Sequence, residues 1–190
     1  MTRQPLDAER RHLAGLLEAI QRCVYFLEAS RARLHWPLRP EQLAQRHKDI
    51  DLFEAMAAMN ERFAKLQDTL GAAMRHAFVL AGESGEPFLK MLAFYEKIGV
   101  LQSATDWQLC RATRNIAARV YETDYGAIAE HFNTLHELTP LLYRTAARCA
   151  DYCRDALSAS PLTNDFATEF ETITRQDLAP PDGQDQARAE

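Results

Sequence analysis

Leu52 to Phe78, LFEAMAAMNERFAKLQDTLGAAMRHAF, is the stretch that decides the fold. Leu52, Met56, Met59, Phe63, Leu66, Leu70, Ala73, Met74, Ala77 and Phe78 recur at three- and four-residue intervals, which puts them on one face of a helix. A stripe this long is far more often core than cofactor site. The spacing predicts one long helix from about Pro40 to Ala81, ended by Gly82-Glu83-Ser84-Gly85.

Working toward the N-terminus, Leu13, Leu16, Leu17, Ile20, Val24, Phe26 and Leu27 predict an amphipathic helix from Leu6 to about Arg33. His35-Trp36-Pro37-Leu38-Arg39-Pro40 breaks it, because each proline restricts the residue before it. Whether this helix packs on the core or on a partner is left open by its pattern. Toward the C-terminus, Pro87 opens a short helix carrying Leu89, Leu92, Tyr95 and Ile98, which Gly99 ends. Ser103, with Asp106 three positions on, caps a helix beginning near Ala104 and carrying Trp107, Leu109 and Cys110. Asp124 caps another, running to about Leu157, with a kink or restart expected at Pro140. A short helix from Phe166 to Ile173 follows, and the last dozen or so residues are expected to be disordered.

Nothing reads as a strand, an internal repeat or a coiled coil. The expected architecture is all-α, an antiparallel bundle of about five helices over residues 1–160, followed by an acidic, largely disordered tail over 161–190. A length of 190 residues suits one core. Hydrophobic residues at 47% and charged residues at 26% are the proportions of a globular chain.

Charge and cysteine usage narrow the function classes. The net charge of −5 resides in residues 161–190, where seven acids face only Arg175 and Arg188, leaving residues 1–160 balanced. A neutral body exerts no general pull on nucleic acid, so any RNA contact must come from a local cluster. No apolar run reaches the roughly 18–20 residues that span a bilayer, and the opening residues lack the order of a secretory signal. Cytoplasmic location is the expectation. Cys23, Cys110, Cys149 and Cys153 form no C-x-x-C pair and read as reduced thiols. Cys149 and Cys153, four apart on a helix, lack the further ligands a metal needs. His131 and His136, five apart, lie on different faces of their helix and are expected at the surface. No metal or cofactor is implied by any motif, and the phosphate-cradling loop, H-E-x-x-H and G-x-S-x-G are missing.

One cluster carries chemistry: Arg111-Ala112-Thr113-Arg114-Asn115-Ile116-Ala117-Ala118-Arg119-Val120-Tyr121. On a helix, Arg114 and Tyr121 share one face two turns apart, Asn115 and Arg119 share the next, and Arg111 adds a supporting cation. Spacing alone favours a solvated, arginine-rich face that happens to contain an aromatic.

Residues 114–121, R-N-I-A-A-R-V-Y, resemble the R-N-x-x-x-H-x-Y signature of HEPN proteins, in the branch paired with minimal nucleotidyltransferases in toxin–antitoxin operons. Arg62-Phe63-Ala64-Lys65-Leu66-Gln67-Asp68-Thr69-Leu70-Gly71 is similar to that branch's R-F-x-K-L-Q-D-x-L-G stretch. The short helix from Leu92 to Gly99 and the lead Ser103-Ala104-x-Asp106-Trp107 also match its order. The likeness covers residues 60–122 and is weak before about 40 and after about 160. It implies a homodimer whose groove arginine and histidine cleave RNA without metal. It also implies that Arg114 fills the arginine position, Asn115 the polar position and Tyr121 the tyrosine, to which a partner nucleotidyltransferase adds AMP. Asp68 is the acid that would orient the groove arginine.

The departure is Arg119, which stands where the family has histidine. Imidazole titrates near neutrality and can accept and donate a proton, whereas guanidinium stays protonated. Arg119 is therefore no general base, though its fork of donors suits phosphate. The expectation is a HEPN component of a toxin–antitoxin-like pair with ribonuclease activity weakened or lost. A slow ribonuclease, or a helical adaptor without catalysis, are the alternatives.

Overall fold

The apolar stripe of Leu52–Phe78 folds as the sequence predicts, and every one of its ten positions is buried. In the computed structural model, which describes residues 3–83, 87–114 and 123–176, the described residues form seven helices and no strand. These are α1 (Arg3–Arg31), α2 (Pro40–Gln45), α3 (Ile50–Leu80), α4 (Phe88–Lys97), α5 (Ala104–Arg114), α6 (Tyr125–Leu157) and α7 (Ala167–Gln176).

The three long helices make the frame. α1 lies along α3 and presents Leu13, Leu17, Ile20, Val24 and Leu27 to the core, so it belongs to the domain. Phe26 departs from that pattern and stays at the surface. α6 closes the other side through Ile128, Phe132, Leu135, Leu142 and Ala146.

The expected helix of 40–81 is instead two. Asp49 interrupts it: its side chain accepts from the Leu52 amide at 3.0 Å, making a new N-cap for α3. Arg46 holds the same carboxylate at 2.6 Å. The link between α1 and α2 is fastened to α6, because Asn133 both accepts from the Leu38 amide and donates to the Leu38 carbonyl, at 2.8 and 3.0 Å.

Gly99 adopts φ 77° after α4, as its position predicts. The Ser103 Oγ accepts from the Thr105 and Asp106 amides at the start of α5. Asp124 accepts from Gly126 and Ala127 to open α6. α6 runs through Pro140 as one helix, with no restart.

The all-α class holds, and the count of about five helices was approximate: seven are present among the described residues, with α2 a separate element and α7 added. Two further expectations are corrected. α7 packs on α1 and α6 and buries Phe170 and Thr174, so the helical body extends to Gln176 rather than stopping at 160. The remaining expected tail, 177–190, lies outside the described residues. His131 is not a surface residue: it is buried and its Nε2 donates to Asn60 Oδ1 at 3.1 Å. His136 stacks on Trp36 with ring centroids 4.2 Å apart. Each is held by a residue from another element, Asn60 for His131 and Trp36 for His136, which a five-residue spacing does not disclose.

Candidate functional site

α5 crosses α3 between Gly71 and Asp68, and this crossing brings together two of the groups singled out in the sequence, Asp68 and Arg114. Trp107 is buried and faces Gly71 of α3: its Cζ2 would lie 3.6 Å from a Cβ placed there, an ordinary van der Waals distance. Nearer the end of α5, an Arg114 Nη pairs with Asp68 Oδ1. The arginine side chain is 17% exposed and the carboxylate 62%, so the cation is drawn into the helix contact while the acid stays at its rim.

Gln67 Oε1 on α3 and Trp107 Nε1 and Arg114 Nε on α5 are enclosed and have no hydrogen-bond partner among the described residues. Thr113, also buried, returns its hydroxyl to the Leu109 carbonyl at 2.9 Å and offers nothing outward.

Arg111 points elsewhere. Its guanidinium lies over the Phe88 ring, 5.1 Å from the centroid, and ties α5 to α4. Of the residues named from the sequence, Asp68 and Arg114 meet and Arg111 stands apart. Asn115, Arg119 and Tyr121 lie outside the described residues.

The thiols are quiet. Burial pushes the Cys110 thiol up to about 12, helped by the nearby Asp106 carboxylate. Cys149 and Cys153 are buried and in contact; the hydrogen bond between them, then burial, hold the Cys149 thiol well above its ordinary value. Among the described residues, no group of three or more His, Cys, Asp or Glu side chains is arranged to hold a metal ion. No described helix is long and apolar enough to cross a membrane.

Sequence reading missed two concave surfaces between α1 and α3. One, of about 520 Å³, brings His12 and His76 edge to face at 4.7 Å, with Glu9 3.2 Å from His76 Nε2. The other, of about 320 Å³, is lined by Arg22, Cys23, Phe26, Glu61, Arg62 and Lys65. Neither was legible, since each is assembled across two antiparallel helices whose facing residues are tens of positions apart. No family model, curated protein or solved structure matches this chain.

Proposed function

We propose that this protein is a HEPN-type component of a toxin–antitoxin-like pair, acting as a homodimer that docks a minimal nucleotidyltransferase, with its ribonuclease activity weakened or lost. The observation carrying this reading is that the landmarks of the resemblance, separated by dozens of residues, meet along one helix contact. Asp68 pairs with Arg114 and Gly71 receives Trp107. A carboxylate that fixes a guanidinium by charge and geometry through one Nη leaves the other Nη to donate to a phosphodiester.

The chemistry expected of the site follows from its residue types. Arg114 and Arg119 stabilise negative charge on a phosphate. Neither accepts the proton of an attacking ribose hydroxyl, because guanidinium is protonated at every physiological pH. Loss of a general acid–base group typically lowers the rate about 100- to 10,000-fold. Tyr121 is the proposed acceptor of AMP from the partner.

Two measurements test the proposal. Coexpression with a nucleotidyltransferase encoded beside this gene should add the mass of one or more AMP units to Tyr121, absent in Tyr121→Phe. Expression alone should slow growth little, and any slowing should vanish in Arg114→Ala. A chain that gains no AMP and leaves growth unchanged, with no such gene adjacent, sinks the reading.

A structural adaptor is the second reading, favoured by the depth of Arg114. A guanidinium mostly buried between α3 and α5, with Nε enclosed, also serves as a strut. Under that reading Arg114→Ala destabilises the fold and changes no activity.

A further inference from the structure

The second concavity carries an inference that rests on the RNA reading above and extends it. It lies between α1 and α3, where Arg22, Cys23 and Phe26 face Glu61, Arg62 and Lys65. Three cations stand against one acid, on a body whose charges otherwise balance over residues 1–160. None of the three cations is ion-paired to a described residue.

Aromatic rings adjoin the cations. Tyr25 and Phe26 meet edge to face at 5.1 Å, and Phe166, arriving just before α7, lies 5.5 Å from Tyr25 and 6.3 Å from Phe26. Phe26 is 41% exposed and Tyr25 36%, although the burial of either in a nearby helix contact would have been favourable. The Arg62 guanidinium sits 5.6 Å from the Phe26 ring centre and donates to the Phe26 carbonyl at 3.1 Å and to Ser30 Oγ, so that ring is held in place. Arg22 lies over Phe166 at 5.6 Å.

Fixed, exposed rings beside unpaired cations are the composition of a single-strand platform, in which bases stack and the backbone follows the charge. A protein partner's apolar surface would leave the cations without counter-charges. The groove also leads to the site described above. On α3, Glu61, Lys65 and Asp68 occupy one face, and Lys65 precedes Asp68 by about 4.5 Å along the axis.

We propose that the groove formed by Arg22, Phe26, Arg62 and Lys65 binds single-stranded RNA and guides it along α3 toward the Arg114–Asp68 pair. Arg22 and Lys65 contact phosphates, and Phe26 supplies the stacking face. Arg62 keeps Phe26 in position.

The test is fluorescence anisotropy of the full chain with a labelled twelve-nucleotide oligouridine RNA, over a salt series. The native chain should bind, more weakly as salt rises. Arg22→Glu with Lys65→Glu should weaken binding by about tenfold or more and reduce the salt slope by roughly two. Phe26→Ala should weaken it by about tenfold with the slope unchanged. All three side chains are exposed, and unchanged melting temperatures would show that the fold is intact. A native chain that binds no RNA overturns the proposal, as does native affinity in the charge-reversed variant. Tighter binding of the matching oligothymidine DNA overturns the assignment to RNA. Loss of a dimer in Phe26→Ala with RNA affinity intact would make this face a contact between copies instead. Failure here is separable from failure of the proposed function. AMP transfer to Tyr121 with a groove that binds nothing leaves that function standing, and groove binding without AMP transfer or growth effect leaves only the groove.

Discussion

Asp68 and Arg114 are the pair on which the site's geometry turns. The carboxylate is largely in water and the guanidinium largely is not, so replacing the acid strands a cation that has little access to solvent. Because one partner is exposed, the cost stays in the range of surface pairs. Asp68→Asn should lower stability by about 1 kcal/mol in urea denaturation, and the deficit should shrink at high salt. Equal stability at low salt would mean that the pair contributes nothing to the fold. Asp68 was nameable from its place in a motif-like stretch, but its partner's depth was not: burial of Arg114 depends on how closely α5 approaches α3.

At the scale of elements, helix ends carry most of what can be tested. Asp49 accepts the Leu52 amide and then the Arg46 guanidinium, and these hold its carboxyl below the usual value. A carboxyl depressed on folding adds stability above its unfolded pKa and loses it as pH falls through the folded one. Asp49→Asn should therefore melt lower than the native chain at pH 6. The gap should close as pH drops below about 4. A gap independent of pH would assign the effect to the cap's shape rather than its charge. Ser158 ends α6 at φ 53°, a left-handed conformation that favours glycine. Ser158→Gly should gain about 0.5–1 kcal/mol in the same urea titration, and a loss would show that the hydroxyl has a use. The caps at Ser103 and Asp124 were legible because they depend on local hydrogen bonds. The Asp49 cap was not legible, because Arg46-His47-Lys48-Asp49 contains no glycine or proline to mark a break, and the helix that carries the stripe reads back to Pro40.

For the whole molecule, the body includes α7. Phe170 is buried between α1 and α6 with Thr174 beside it. Phe170→Ala should cost about 3–5 kcal/mol, lowering the melting temperature by roughly 6–20 °C. Near-native melting would return α7 to the status of an appendage. The acidic balance of residues 161–190 suggested a tail, yet average charge does not report whether the short helix within it packs, and Phe170 and Ile173 give α7 the face that does.

What the chain's own pattern determined is the all-α class, the long buried stripe of α3, and most helix ends, since these depend on spacing and on hydrogen bonds within a few residues. The candidate arginine and its acid were nameable through a resemblance to known motifs. Tertiary structure alone decided that α1 is core, that His131 is buried, and that Arg22, Phe26, Arg62 and Lys65 share a groove. Such neighbours come from different helices, and one-dimensional periodicity reports which face a residue occupies but not what lies opposite it.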